Sequence, residues 1–342
     1  MPIYRCNKCG FISDTITAPP GDKVNCAHCA NACNVYETTF FVGKLIERYT
    51  AALREIESLK SDDKPNLPIP LPTTQKQDPQ QATVSMLLDT LDVHNTIQFA
   101  TPEQHQPLQQ WFAARHIKTQ FDYSNVDTSG FFDDAACTLG NNFALFGELL
   151  DRIRYAYRNS HSGLNLELAS LSQKDAQALN NLCRQFYSHT LFARYHYQKP
   201  EKMVRLTLQT ASTVRQFFEG GWLEWFVFMA LLAQLKTKKQ PFSCARGVKV
   251  IFPNEDLHEI DVMALVDGQT PIYIECKTGE FRRDIDKFLR LKKRLGLTRQ
   301  QFIICASDLS EEQAAGLTAM YDLTFANLNT LADKLDDVCR LY

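Results

Sequence analysis

The sequence predicts an α/β protein: a C-terminal mixed sheet with acids gathered on it, a mostly helical middle region and a small N-terminal metal-bound module. Three observations carry this expectation. Residues 220–277 read as an apolar helix opening with GGWLEW, then strands containing HEIDVMAL and IYIECK. Alternation puts Glu259, Asp261 and Met263 on one face of the first strand, and Tyr273, Glu275 and Lys277 on one face of the second. The pairs Cys6-x2-Cys9 and Cys26-x2-Cys29 have the spacing of two metal-gripping knuckles.

The elements follow in order. Residues 1–42 read as a zinc ribbon, in which Cys6, Cys9, Cys26 and Cys29 close a tetrahedral Zn²⁺ shell. A closed shell makes that metal structural, and His28 and Cys33 are substitute ligands. Such ribbons serve contacts with nucleic acid or with a protein partner. Residues 43–60 form an amphipathic helix, with Leu45, Ile46, Tyr49, Leu53, Ile56 and Leu59 at helical spacing. It packs within the chain or on a second copy in a homodimer. Residues 61–82, rich in Pro and Gln, cannot build a core and read as a linker.

Residues 83–218 read as a mixed, mainly helical, winged-helix-like region. A strand over 96–100, a helix over 102–116 and a strand over 117–122 come first. Helices over 131–157 and 172–195 follow, with strands at 164–168 and 203–209. Arg152, Arg154, Arg194 and His196, interleaved with tyrosines, are read as helix surface, with contact to nucleic acid as the alternative. Residues 219–342 give an αβββαβ order: a helix over 221–236, strands at 248–252, 259–266 and 272–277, a helix over 284–295 and a buried strand, FIICA. Helices beginning at 311 and 327 close the chain.

Composition narrows the function. At 342 residues the chain has room for two or three cores. With 37 basic and 39 acidic residues, net charge points to no partner, but its distribution does. Residues 282–299 hold eight basic side chains against two acids, and Arg282, Arg283, Lys287, Arg290, Lys293 and Arg294 are candidate phosphate contacts. The plain alternative is a solvated helix face. The N-terminus MPIYRCNKCG lacks the apolar run of a leader, and no apolar stretch reaches membrane-spanning length. Eleven cysteines in so large a chain do not read as a disulfide framework, so a reducing, cytoplasmic setting is expected and no membrane partner. No G-x4-GK[ST] loop is present, which excludes a P-loop motor.

Acids and a lysine on an otherwise apolar sheet are costly unless something binds there. Mg²⁺ or Mn²⁺ fits, since such ions take one or two carboxylates and complete their shell with water and phosphate oxygens. Glu224, inside a helix apolar all round, also needs a partner, and the structural candidate is Arg246. Asp261 followed by Glu275-Cys276-Lys277 resembles the D…(D/E)xK motif of PD-(D/E)XK, or restriction-endonuclease-like, nucleases. With its flanks, GGWLEW, EIDVMAL and IECKTGE, the last third is similar to the Card-type nuclease domain of CRISPR-associated effectors that carry a CARF sensor. That resemblance implies catalytic roles for Glu224, Asp261, Glu275 and Lys277, with Asp261 and Glu275 as ligands of Mg²⁺ or Mn²⁺. It implies an endonuclease acting on DNA, with RNA as the alternative, in prokaryotic defence. Where those effectors have their sensor, this chain has the ribbon and the linker. The rival expectation is a nucleic-acid-binding or scaffold protein that keeps the fold without cleaving.

Overall fold

The computed structural model describes residues 2–6, 12–15, 18–38, 99–121, 130–238, 241–253 and 257–340. The expected helix over 43–60, the linker over 61–82 and Cys9 lie outside the described residues. The chain divides into two compact units, Met1–Lys76 and Gln77–Tyr342.

The first unit is an antiparallel sheet of short strands: β1 (Ile3–Arg5), β2 (Ile12–Asp14), β3 (Lys23–Asn25) and β4 (Ala32–Tyr36), in the order β2-β1-β4-β3. Tyr4, Cys6, Cys26, Cys33 and Val35 make up its buried cluster. Among the described residues this cluster is small and supplies little driving force, and a metal at the cysteines is the natural complement.

The second unit is built on a six-stranded sheet. Its strands are β5 (Lys118–Gln120), β9 (Phe242–Ile251), β10 (Leu257–Val266), β11 (Thr270–Lys277), β12 (Phe302–Ala306) and β13 (Thr324–Ala326), in the order β13-β12-β11-β10-β9-β5. β5, β9, β10 and β11 run antiparallel, whereas β12 and β13 add in parallel. β5, from the stretch read as the middle region, therefore completes the edge beside β9. A hairpin at Asp267 and Gly268 joins β10 to β11, and both residues take the positive φ such a turn needs.

Helices cover both faces. On one lie α6 (Trp222–Lys238) and α9 (Leu331–Arg340), against Val262, Ala264, Ile272, Ile274 and Ile303. On the other lie α1 (Pro102–Ala113) and α7 (Ile285–Leu295), against Met263, Leu265, Tyr273, Phe302 and Ile304. The α8 helix (Glu311–Met320) opens with a capping box from Ser310 and Gln313. From α6 onward the order is helix, three strands, helix and strand, as periodicity implied.

The middle region adds α2 (Phe131–Asn141), α3 (Phe143–Arg158), α4 (Gln173–Ser188) and a second sheet of β6 (Gly163–Glu167), β7 (Phe192–Gln198) and β8 (Met203–Leu208), ordered β6-β8-β7. Two expectations are corrected here. The helix read over 131–157 is broken at Asn142, whose ψ of 30° leaves the helical region. The helix read over 172–195 stops at Ser188, Thr190 takes φ 59° and the alternating FARYHYQ turns to strand. Arg194 and His196 therefore lie on a sheet, not a helix surface. A short α5 (Ser212–Gln216) and a π-type turn at Phe217–Gly221 lead into α6. One continuous core unites Leu149, Phe186 and Phe192 of this region with Trp222 and Leu231 of α6 and Val262 of the sheet.

Candidate active site

The site forms where regular strand geometry lapses. The β9–β10 register passes from Glu259↔Lys249 and Ile260↔Val248 to Val262↔Arg246, and Gly247 lies opposite Asp261 with φ 64°. This left-handed residue turns the strand over. Ala245 and Val248, three apart, join the same buried cluster, and so do Ile260 and Met263 across from them. Strict alternation, which the sequence suggested for Glu259, Asp261 and Met263, is thus interrupted at Asp261. The ladder with β11 begins only at Val262↔Ile274, so Asp261 stands at the end of that ladder, while β9 stays paired on either side of it.

Beside it opens a cavity of ≈ 740 Å³, lined by Glu224, Asp261 and Lys277 together with Arg246, Lys249 and Glu259. The π-type turn before α6 contributes Glu219 and Gly220 to the wall. Such insertions recur at functional sites because they re-aim the residues that follow.

The expected residues are held by specific bonds. Asp261 Oδ2 accepts the Cys276 backbone N–H at 2.7 Å. Lys277 Nζ lies 2.8 Å from Glu275 Oε1, and the buried Tyr273 hydroxyl donates to Glu275 Oε2. Tyr273 itself stacks on Phe302, with ring centroids 4.3 Å apart. Glu224 accepts from Arg246 Nη1 at 3.3 Å, so the ion pair weighed as its structural partner is present. The Arg246 guanidinium also lies 3.6 Å over the Trp225 ring.

Electrostatics mark Asp261 as the strained member. Burial, then the nearby carboxylates of Glu275 and Glu224, push its carboxyl up to about 8. Burial raises Glu224 as well, against the pull of Arg246. Lys277 is pushed down by burial, but Glu275 and Asp261 outweigh that and leave it above its ordinary value. With Glu219, Glu259 and Lys249 of the same wall included, five acids meet three bases, so the ionised site carries an excess of negative charge that a cation would relieve. The donors are oxygens and include two strand carboxylates, the set that Mg²⁺ or Mn²⁺ prefers.

The basic helix is placed beside the same sheet. Arg282, Arg283, Lys287, Arg290, Lys293 and Arg294 are all exposed. Lys287, Arg290 and Arg294, with His258, line a second cavity of ≈ 440 Å³. Arg282 pairs with Glu280 at 3.1 Å. Lys292 differs from its neighbours: it is buried and bonds the carbonyl and carboxylate of Asp322. It belongs to the packing of α7.

In the first unit, Cys6, Cys26 and Cys29 offer sulfurs within 4.8 Å of one another, an arrangement able to hold a metal ion. The thiol of Cys33 is pushed up to about 11 by burial and by Cys6, Cys26 and Cys29, which places it against the same cluster.

No protein-family model matches the chain, and no curated protein matches it either. Among solved structures it is similar to protein VC1899 from Vibrio cholerae, at 19% identity and TM-score 0.47, over 69% of this chain and 61% of that one. It is also similar to Can2 from Sulfobacillus thermosulfidooxidans, solved in complex with cyclic tetra-adenylate, at 15% identity and TM-score 0.48, over 67% of this chain and 59% of that one. The chain spans about three-fifths of the length of each. Likenesses so distant leave the reading of the site to its own residues. Among the described residues no helix is long and apolar enough to cross a membrane.

Sequence reasoning missed two features. Arg246 appeared only as a partner for Glu224, and Lys249 not at all, because alternation assigns them to opposite faces. The signal that could have found them is Gly247, a glycine inside a strand, which marks a bulge or a close approach.

Proposed function

We propose that this chain is a metal-dependent endonuclease of the PD-(D/E)XK kind, hydrolysing phosphodiester bonds of DNA and, as the alternative substrate, RNA. One observation carries the reading: Asp261 and Glu275, from neighbouring strands, meet Lys277 and Glu224 beside a cavity whose wall also carries Arg246 and Lys249. The αβββαβ order supports it. Asp261, with one oxygen engaged by Cys276, keeps Oδ1 for a divalent ion, and Glu275 supplies the second carboxylate. A bound Mg²⁺ or Mn²⁺ would supply an acidified water and neutralise charge on the phosphate.

The protein's own groups do the rest. Tyr273 fixes the Glu275 carboxylate, and Glu275 fixes the Lys277 ammonium. From there Lys277 orients the attacking water or meets the charge that develops on phosphorus. Glu224, tied to Arg246, lines the same cavity. Cys6, Cys26 and Cys29, with Cys9 or Cys33 as the fourth ligand, hold a structural Zn²⁺. The resemblance of the motif and its flanks extends the reading to prokaryotic defence.

A second reading has one observation in its favour. Both oxygens of Glu275 are already bonded, to Lys277 and to Tyr273, as in a self-contained structural network. It makes the chain a nucleic-acid-binding protein that does not cleave. Plasmid, single-stranded DNA and RNA, each incubated with Mg²⁺, Mn²⁺ or chelator, separate the two. Cleavage that needs the ion and is lost in a folded Lys277→Ala variant is expected. Metal-dependent cleavage that survives Lys277→Ala would place the chemistry elsewhere, and binding without cleavage would favour the second reading.

A further inference from the structure

The chemistry above leaves two cations of the cavity unused. Arg246 and Lys249 are three positions apart on β9, so strict alternation would send them to opposite faces. Gly247 turns the strand over between them, and both line the cavity that holds Glu224, Asp261 and Lys277. At φ 64° a side chain at position 247 would be strained, so the glycine is what allows two positive charges onto one wall.

Arg246 is set as a recognition group. Glu224 takes one of its five donors and the face of Trp225 fixes its plane, so the fork is oriented before anything binds. That fork matches the oxygens of a phosphate. Lys249, exposed and opposite Glu259 in the ladder, adds a second charge from the next turn of the wall. The two ends of the site are distinct: Lys277 packs toward Phe288 of α7, 5.6 Å away, whereas Arg246 packs on Trp225 of α6.

We propose that Arg246 and Lys249 form a phosphate-binding subsite for the nucleic-acid strand, holding the phosphate next to the one that is cut. This rests on reading the acids as a nuclease site. The test is binding of a fluorescent oligonucleotide over a salt series, with chelator present so that no cleavage intervenes. The variants are Lys249→Gln, Arg246→Lys, Glu224→Gln, and Arg246→Gln combined with Glu224→Gln so that no carboxylate is orphaned.

Lys249→Gln and the double variant should each weaken binding about tenfold and flatten the salt dependence by about one unit of slope. Glu224→Gln alone should keep the slope, and Arg246→Lys should restore charge but only part of the affinity. Parent-like affinity and slope in folded Lys249→Gln and in the double variant would overturn the subsite, as would a parent that does not bind. Cleavage by the same samples in Mn²⁺ keeps the two ideas apart. A parent that cuts, with variants that bind unchanged, removes the subsite and leaves the nuclease. Weakened binding in the variants beside a parent that never cuts keeps the subsite and removes the nuclease.

Discussion

At the scale of single residues, Asp261 gives the site its pH behaviour. Its carboxyl is raised from 3.8 to about 8, so the metal-free fold binds that proton more tightly than the unfolded chain does. The associated stability is fully present below 3.8 and is lost as pH rises through about 8. A divalent ion competes with the proton for the same oxygens. The Mg²⁺-induced rise in melting temperature should therefore grow from about pH 6 to about pH 9, and Asp261→Asn should remove that trend. A flat profile in the parent would separate Asp261 from the metal. Tyr273→Phe is a gentler probe, keeping the ring on Phe302 while removing one donor from Glu275. It should leave the melting curve nearly unchanged and lower metal affinity about tenfold, as loss of a partner behind a ligand does. Motif spacing singled out Glu224, Asp261, Glu275 and Lys277, which lie near one another in the structure even though alternation breaks at Asp261. The roles of Tyr273, Arg246 and Lys249 were not legible, since one is a contact to a neighbour on the same face and the others depend on the reversal at Gly247.

At the scale of elements, α2 and α6 show how tightly the site's scaffold is set. A Cβ at Gly140 on α2 would fall within the Phe226 ring on α6. Gly140→Ala should cost about 1–3 kcal/mol in a urea titration, because a well-packed contact cannot absorb the added carbon. An unchanged midpoint would mean that the helices can separate there freely. The α7 helix makes a second, opposed prediction. Removing charge from the exposed Lys287, Arg290 and Arg294 should flatten the salt dependence of nucleic-acid binding and leave stability alone. Lys292→Met should do the reverse, since Lys292 is bonded to Asp322 beneath the helix. Equal effects from both groups would dissolve the distinction. Most strands of the large sheet were readable from periodicity, and FIICA matches β12 residue for residue, but β13 was missed and β9 begins at Phe242, six residues before the expected 248. The break at Asn142 and the strand at β7 were not readable, because a helical apolar pattern can run on through a backbone that has turned.

At the scale of the whole molecule, the two units should fail separately. Among its described residues the first has a small buried cluster and a group of thiols, so its folding should depend on its metal. Elemental analysis should find about one zinc per chain, since one tetrahedral shell takes four such ligands. Stripping it with a strong chelator, or Cys6→Ser, should unfold that unit and leave the main calorimetric transition in place. A chain that keeps both transitions without metal would remove the ribbon reading. The second unit should melt in a single step, because one apolar cluster joins its middle region to the sheet. That joining was hidden from the sequence: β5 pairs with β9 across more than a hundred residues, and no local pattern records such a partnership.

The shared core around α6 also bears on heredity. Glu224 sits in the first turn of the same helix that Leu149, Phe186 and Phe192 support through the common cluster. A screen for inactive alleles would then return lesions scattered through the middle region, far from every acid. Many should be temperature-sensitive, and second-site suppressors should map to positions packed against α6 instead of to the motif itself.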